Sequence, residues 1–313
     1  MWISNTAAVV IMLPLAVGII NSQSNLGPKD KTFILLGIAY SGSIGGIGTL
    51  IGSPPNAIAA AQTGISFWEW LTFGIPLVLL LLPTMVIALY LTLKPCIEGC
   101  VSVINEHITW DVKKTATVTI FGLAALGWIY SPFIGDRLGI LGQTDAIIAI
   151  LGILLLTLTG SISWKHIESE CEWGILLLFG GGLALSMVMD VSGGSAYLAE
   201  MLLSFVHNTP VAVLTVVVIT FAVFMTELVS NTASAALLIP IFISLSNSIG
   251  LEPQILAIAI AVSASCAFML PVATPPNALV YATQEVPQKI MMRTGLLLNI
   301  FCIFVISIIV SFI

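Results

Sequence analysis

Charged side chains are scarce in this sequence: Asp, Glu, Lys and Arg make up 8% of its 313 residues, whereas hydrophobic residues make up 58%. A soluble domain carries about 25% charged residues, so this chain lacks the charge needed for a water-compatible surface. The mean hydropathy is +1.11, and several uncharged windows have the roughly 20 residues of a membrane-spanning helix. The composition predicts an all-α polytopic membrane protein, which we expect as a multi-pass protein of a bacterial inner (plasma) membrane.

Several functional signals are absent, and each absence excludes a class of protein. The net charge of −6 excludes the basic surface that nucleic-acid binding requires. The five cysteines form no metal-binding or redox pattern, so no cofactor is expected. The three histidines lie far apart in sequence, without a Ser or Cys nucleophile pattern around them, so the chain is not expected to be an enzyme.

Four short polar segments interrupt the apolar sequence, and they form two matching pairs. Ser4-Asn5-Thr6 and Ser230-Asn231-Thr232 are each followed by a proline ten residues after the serine. Gly52-Ser53-Pro54-Pro55-Asn56 matches Ala273-Thr274-Pro275-Pro276-Asn277. The matching order and spacing predict an internal repeat in which polar breaks lie within apolar segments.

The positions of the basic residues predict how the chain crosses the membrane. With the loop 21–31 in the cytoplasm, every Lys and Arg except Arg137 lies on the cytoplasmic side. The run 211–245 must then start and end on the same side of the membrane. It forms either two full spans or one re-entrant hairpin. Its tip lacks the residues typical of a water-exposed loop, so we expect a hairpin that ends within the membrane. The two copies then have opposite orientations, as in inverted-repeat secondary transporters with re-entrant hairpins and broken helices.

Apolar segments around the breaks predict the helices. The expected helical segments are 7–20, 33–50 resuming to about 61, 68–93, 116–131, 143–160, 173–190, 195–206, 211–228, 233–245, 255–270 resuming to about 282, and 295–313. We expect residues 1–93 to form the first repeat of a transport domain and residues 209–313 to form the second. Residues 94–208 are expected to provide a connector with an interfacial helix, and scaffold-type helices. Gly180-Gly181-Gly182 predicts close helix packing.

The polar breaks suggest a chemistry. Helix N-terminal N–H groups attract anions, and C-terminal carbonyl groups attract cations. Asn5 and Asn231 each offer a donor and an acceptor. No Lys or Arg lies near either break in sequence, and burying a doubly charged anion without a counter-charge is costly. Co-bound cations would offset that cost, which predicts coupled symport. Alternatively, Ser, Thr and Asn serve only as hydrogen-bonding contacts between membrane helices.

At these motifs the sequence resembles the divalent-anion/sodium symporter (DASS) family, which carries dicarboxylates, citrate or sulfate. The resemblance covers essentially the whole chain and includes Trp173-Gly174 with Leu178-Phe179-Gly180-Gly181-Gly182. It implies an elevator-type, ion-transporter-like fold in the lipid membrane, with a transport domain that moves against the scaffold of a homodimer. It also implies symport of Na⁺ with a di- or tricarboxylate, and we expect a C4-dicarboxylate such as succinate, malate or fumarate.

The resemblance assigns ligands by position. The residues implied for the first sodium site are Ser4, Asn5 and Gly52. The residues implied for the second sodium site are Thr226, Val229, Asn231 and Ala273. The residues implied for the substrate are Asn5, Thr6, Ser53, Pro54, Asn231, Thr232, Thr274, Pro275 and Val280.

One departure from the family pattern concerns the start of the sequence. The family has further spans and the first arm of the first hairpin before the position of Ser4. We therefore expect the first sodium site to lack its upstream ligands, the scaffold to be incomplete, and these residues alone not to transport. The alternatives are a dicarboxylate exchanger, a citrate or sulfate carrier on the same fold, a channel, and a non-transporting truncated membrane subunit.

The sequence also contains a single acidic residue, Glu227, and an acidic cluster whose roles need to be considered. Glu227 is the only charged residue in the second hairpin, and an ionisable group at membrane depth is a functional candidate. It could tune or ligate the nearby cation, couple a proton, or cap and orient the hairpin tip. Glu168, Glu170 and Glu172 follow Lys165 and are expected in a solvated loop.

Overall fold

The chain folds into α-helices. The computed structural model describes residues 1–23, 26–96, 110–140, 143–171, 173–194, 197, 201 and 210–311, and these residues include no strand. In chain order the helices are α1 (Asn5–Ser22), α2 (Pro28–Ile47), α3 (Pro54–Thr63), α4 (Phe67–Leu93), α5 (Val112–Ile129), α6 (Ser131–Leu138), α7 (Thr144–Leu158), α8 (Trp164–Glu170), α9 (Trp173–Val191), α10 (Val211–Thr226), α11 (Asn231–Ile249), α12 (Pro253–Ala264), α13 (Pro275–Ala282) and α14 (Gln288–Val310).

Many of these helices are apolar and long. Helices α1, α4, α5, α11 and α14 are each long and apolar enough to cross a membrane, and α7, α10 and α12 are shorter apolar helices. They leave large hydrophobic side chains exposed on the outer surface, among them Leu79, Leu123 and Phe304. A surface of this kind requires lipid around it. The prediction of an all-α, multi-pass integral membrane protein is confirmed.

Two groups of four helices, α1–α4 and α11–α14, each begin at a Ser-Asn-Thr motif and pack in the same pattern. Helix α1 packs against α2 and α13, and its counterpart α11 packs against α12 and α3. Likewise α2 contacts α4 and α13, while α12 contacts α14 and α3, and α4 contacts α14. Exchanging the two groups leaves this set of contacts unchanged, which is the pattern of two copies related by a two-fold axis. The predicted repeat is therefore present in the fold.

Both broken helices unwind earlier than the sequence predicted. Helix α2 ends at Ile47 and α12 at Ala264, whereas ends near 50 and 270 were expected. We call residues 48–53 the first break and residues 265–274 the second break. The expected end at 270 is wrong because the N–H groups of residues 268–270 donate to Glu227 rather than to carbonyls one turn earlier. With 12 residues, α12 is about 18 Å long, too short to cross a hydrocarbon core of about 30 Å.

Contacts at the two ends of the helices agree with the predicted crossings. Asp30 accepts a hydrogen bond from the Cys96 N–H, and Lys31 forms an ion pair of 2.9 Å with Glu285. These residues belong to three segments that were all expected in the cytoplasm. Elsewhere, the Asp145 carboxylate accepts from the Phe67 N–H at 2.9 Å, which joins two segments that were both expected outside.

A few expectations differ from the structure or lie outside it. The short helices α6 and α8 were not predicted, and α8 contains Lys165 and Glu168, so that segment is solvated but is not a loop. An interfacial helix was expected within the connector 94–114, of which residues 97–109 lie outside the described residues. Glu172 and most of the segment 195–206 also lie outside them. Of the three consecutive glycines, Gly182 faces Ala236 of α11 closely, whereas the first two have open space beside them.

Candidate functional site

Four helices begin at a single cavity of about 580 Å³. Asn5, Pro54, Asn231 and Pro275 are the first residues of α1, α3, α11 and α13, and all four line this cavity. The other lining residues are Ser4, Thr6, Leu50, Ile51, Ser53, Ala57, Ser230, Thr232 and Ala273. The first turn of a helix has unpaired N–H groups and the positive end of the helix dipole. Four positive helix ends thus converge on a cavity whose lining includes neither lysine nor arginine.

The N-termini of α1 and α11 are capped alike but differ in their free donors. In each, the N-cap serine hydroxyl accepts a hydrogen bond of 3.2 Å from the N–H three residues later. In α1 the Asn5 N–H donates to the Gly52 carbonyl at 3.1 Å, and the Thr6 N–H donates to Asn5 Oδ1 at 2.8 Å. The corresponding N–H groups of Asn231 and Thr232 donate to no other described residue. The second N-terminus therefore keeps two donors available for an anion.

Three oxygen atoms meet where α10 ends and α11 begins. The Thr226 hydroxyl lies 2.9 Å from Asn231 Oδ1 and 2.9 Å from the Ala264 carbonyl oxygen. A hydroxyl has one proton, so it cannot fully serve both acceptors at once. A buried cluster with more acceptors than protons suits a hard cation such as Na⁺. Ala264 was not predicted at this site, because only the structure reveals that α12 ends there and frees its carbonyl.

The other residues expected at the second sodium site lie nearby but differ in exposure. Ala273 lines the cavity and is buried. Val229 lies at the hairpin tip, and its side chain is exposed and does not line the cavity. Several ligands of this site were expected to act through backbone carbonyl groups, and such a contribution does not depend on where the side chain points.

The residues expected at the first sodium site bond to one another. The Gly52 carbonyl accepts from the Asn5 N–H at 3.1 Å. The Asn5 Oδ1 atom also lies 3.3 Å from the Thr6 hydroxyl. Ser4 caps α1 and lines the cavity. These contacts place the expected ligands together, with more of their hydrogen-bonding capacity already used than in the second site.

Most residues expected to bind substrate line the cavity, but Thr274 and Val280 do not. The Thr274 side chain is buried, and its hydroxyl accepts from the Asn277 N–H at 3.2 Å. The Val280 side chain is fully buried in the hydrophobic core. The structure therefore brings together Asn5, Thr6, Ser53, Pro54, Asn231, Thr232 and Pro275.

The asparagines of the two Pro-Pro-Asn motifs hold the breaks together, a role that the sequence analysis missed. Asn56 Nδ2 donates to the carbonyls of Gly46 and Thr49 at 2.9 and 2.8 Å. Asn277 Nδ2 donates to the carbonyls ten and seven residues before it, both at 3.0 Å. The same two sequence separations occur in both copies. These bonds satisfy carbonyl groups at the end of α2 and within the two breaks, where regular helical partners are lacking.

Equivalent glycines allow the next long helix to approach each break. A Cβ atom on Gly74 of α4 would lie 2.8 Å from the Gly48 carbonyl oxygen, and one on Gly295 of α14 would lie 2.2 Å from the Phe268 carbonyl oxygen. A buried aromatic side chain also donates to each break: Trp70 Nε1 to the Ile47 carbonyl at 2.9 Å, and the Tyr40 hydroxyl to the Phe268 carbonyl at 2.7 Å.

The two breaks also contact each other beside the cavity. The Ser53 and Ser265 hydroxyl oxygens are 3.1 Å apart, and both side chains are buried. Ser53 belongs to the first break and Ser265 to the second. The two copies therefore form one site rather than two separate ones.

The Glu227 carboxylate lies behind the second break rather than in the cavity. It accepts hydrogen bonds from the backbone N–H groups of residues 268–270 and from Asn299 Nδ2. Of the roles left open by the sequence, these contacts favour orienting the hairpin tip.

Comparisons with known proteins give the family. The citrate transporter family matches residues 1–262. An uncharacterized transporter of Haemophilus influenzae is 46% identical over 316 residues, which cover 98% of this chain and 68% of that protein. An uncharacterized transporter of Methanocaldococcus jannaschii is 38% identical over 300 residues, which cover 96% of this chain and 68% of that protein.

A third relative has a more specific name. The sodium-dependent dicarboxylate transporter SdcS of Staphylococcus saprophyticus is 33% identical over 344 residues, which cover 100% of this chain and 66% of that protein. These matches agree with the motifs, the repeat and the apolar helices described above. The chain therefore belongs to the citrate transporter family and to the divalent-anion/sodium symporter family of membrane transporters.

Proposed function

We propose that the protein carries a C4-dicarboxylate across the membrane together with Na⁺. The observation that supports this most is the convergence of four helix N-termini on one cavity with no basic side chain in its lining. Helix N-termini attract anions, and two pairs of them, one from each repeat, suit a molecule with two carboxylates. The Staphylococcus relative, a sodium-dependent dicarboxylate transporter by name, supports the same substrate class and the same ion.

Sodium has a defined task in this proposal. Dipole ends and hydroxyl groups do not supply the full counter-charge that a dianion needs in a low-dielectric site. Na⁺ at the oxygen cluster around Thr226 and Asn231, and at the cluster around Asn5 and Gly52, would supply that charge. The substrate carboxylates would then bind Thr6, Ser53 and Thr232, together with the free N–H groups of α11. Anion and cation affinities become coupled because each reduces the electrostatic cost of the other.

In this proposal the two repeats carry the substrate from one side of the membrane to the other. We propose that residues 1–93 and 209–313 move together as the transport domain, since their breaks and helices contact each other directly. Residues 94–208 would contribute connector and scaffold-type helices, and a homodimer would provide the fixed frame.

Binding of labelled succinate to the purified chain in lipid nanodiscs tests the proposal. Succinate should bind in NaCl and lose at least about 10-fold in affinity in choline chloride, or in the Asn231→Ala variant, because a charge-assisted contact is worth more than about 1.4 kcal/mol. Asn247→Ala, in the exposed last turn of α11, is the matched control. Equal binding in the two salts would contradict sodium coupling.

Citrate is the second candidate substrate, because the matching family is described as a citrate transporter. Competition between unlabelled citrate and labelled succinate ranks the two anions at the same site. Counterflow of succinate in liposomes adds the transport step, and a requirement for counter-substrate would identify an exchanger.

A further inference from the structure

The Glu227 carboxylate has an unusual environment at the tip of the α10–α11 hairpin. Its side chain is 3% exposed. Glu227 Oε1 accepts from the Phe268 N–H at 2.7 Å, the Met269 N–H at 2.9 Å and Asn299 Nδ2 at 2.7 Å. Its Oε2 accepts from the Met269 and Leu270 N–H groups, both at 3.1 Å. All of these partners are uncharged donors, so hydrogen bonds disperse the negative charge, and no lysine or arginine among the described residues forms an ion pair with it.

These bonds leave the carboxylate little capacity to ligate a cation itself. An ionised carboxylate offers about four lone-pair sites, and five donor contacts already surround this one. A direct ligand would have to give up bonds to the break, and buried N–H groups without acceptors are costly. Glu227 therefore acts on the cation site through the atoms that it holds.

The carboxylate connects the two halves of the second cation site. Thr226, the residue before Glu227, belongs to the hairpin tip, whereas Ala264 and Ala273 lie just before and within the second break. The bonds from Glu227 fix the middle of that break to the tip, and the bond to Asn299 fixes both to α14. Without them, the second break would keep its bonds to Asn277 and Tyr40, but its middle would lose its bonds to the hairpin tip that carries Asn231.

The negative charge of Glu227 also favours cation binding, as the geometry of its hydrogen bonds does. A buried carboxylate without a cationic partner raises the free energy of the folded chain. A cation bound at the oxygen cluster one residue away lowers that cost, because the interaction is strong in a medium of low dielectric constant. The matching position of the first repeat holds Met1, whose side chain has no carboxylate, so this contribution is specific to the second site.

We propose that Glu227 is the positioning residue of the second cation site: its carboxylate holds the second break, the hairpin tip and α14 in the arrangement that binds Na⁺. This inference rests on the proposed function. Its test is the rise in thermal unfolding temperature of the purified chain in nanodiscs as NaCl replaces choline chloride at constant ionic strength. The readout is the Na⁺ concentration that gives half of the rise, which needs neither substrate nor transport.

Three variants separate positioning from general stability. Glu227→Gln keeps one acceptor but removes the charge, and it should raise the half-saturating Na⁺ concentration at least about 10-fold. The double variant Glu227→Gln with Asn299→Asp moves the carboxylate across the 2.7 Å contact while retaining an acceptor for the break. It should return to within about 3-fold of the wild type. Glu285→Gln, at the exposed ion pair with Lys31, is the control and should change by less than about 2-fold.

Each outcome decides between the two proposals. If the wild type shows no Na⁺ response, both the sodium-coupled function and this inference are overturned. If the wild type responds and Glu227→Gln responds at the same concentration, only the inference is overturned. A double variant no better than Glu227→Gln also overturns it, since the retained network then does not position the site. If Glu227→Gln does not fold, Glu227→Asp keeps the charge on a shorter side chain and should show an intermediate shift; an unchanged midpoint would count against positioning.

Discussion

The first and second breaks are similar in sequence but differ in how their backbone groups are satisfied. The first break is six residues long, and its N–H groups bond within its own turns: Gly48 to the Gly45 carbonyl and Gly52 to the Thr49 carbonyl, both at 3.2 Å. The second break is ten residues long and requires a carboxylate to accept three of its N–H groups. Both copies keep their motifs and the bonds that Asn56 and Asn277 donate to the breaks, which we call the asparagine clamps. The comparison teaches that the remaining stabilisation of two such copies can still differ.

The same contrast extends to the hairpin tips. The N-terminal N–H groups of α1 are used internally, whereas those of Asn231 and Thr232 remain available. The first copy is therefore more self-contained, and the second keeps more capacity for ligands. We expect changes in the second copy to affect ligand binding more, and the variants below measure whether the two copies also differ in stability.

The largest expected effect comes from filling the glycine contacts. Gly295→Ala should lower the free energy of unfolding by about 3 kcal/mol or more, because its Cβ would lie 2.2 Å from a backbone oxygen that cannot move freely. Gly74→Ala, with 2.8 Å to its nearest oxygen, should cost about 1–2 kcal/mol. Thermal unfolding in detergent measures both. Equal losses of unfolding free energy in the two variants would show that the first and second breaks adjust equally to an added methyl group. That result would contradict the difference in stabilisation between the two copies.

Removing an asparagine clamp should have the next largest effect. Asn56→Ala and Asn277→Ala each remove two hydrogen bonds to buried carbonyl groups, at a cost of about 2 kcal/mol. In each variant one carbonyl keeps a backbone donor, from Gly52 to Thr49 and from Ala273 to Leu270. Because Glu227 also anchors the second break, Asn277→Ala should unfold at a higher temperature than Asn56→Ala. The opposite order would mean that the carboxylate does not compensate for the clamp.

The smallest expected effect is the loss of the aromatic donor to the second break. Tyr40→Phe removes the 2.7 Å bond to the Phe268 carbonyl and should cost about 1–2 kcal/mol. Its ring packs at 5.0 Å from the Phe268 ring, and Phe would retain that contact. Leu36→Val, a buried change on the same helix, controls for packing. A larger loss in Tyr40→Phe than in Gly295→Ala would reverse the predicted ranking.

The sequence alone was sufficient for the membrane class, the repeat and most of the cavity lining. Apolar windows and paired motifs follow simple periodicities, so α4 and α9 were predicted to within one residue at either end. The end of α12 was not, because residues 265–270 are as apolar as the helix before them. Beyond its end, the N–H groups of residues 268–270 bond to a carboxylate some forty residues earlier in the chain, and no local pattern reports such a contact.

The clamp asparagines show the same limit of sequence-based prediction for residues whose partners are backbone atoms. Asn56 and Asn277 stood out in the motifs, but their targets are carbonyl groups, which every residue has. Likewise, Ala264 carries no side-chain signal for a cation site. Roles that belong to backbone atoms become visible only when the chain path is known.

The hydrogen bond between Tyr40 and Phe268 has a consequence for biosynthesis. Its partners are 228 residues apart in sequence, and synthesis at 5–20 residues per second separates their appearance by about 11–46 s. During that interval the first repeat lies in the membrane with the faces that contact α11–α14 uncovered and the Tyr40 hydroxyl without its acceptor. A nascent chain of this kind depends on the insertion machinery or on neighbouring helices for about 11–46 s, which makes the order of synthesis part of how the site is assembled.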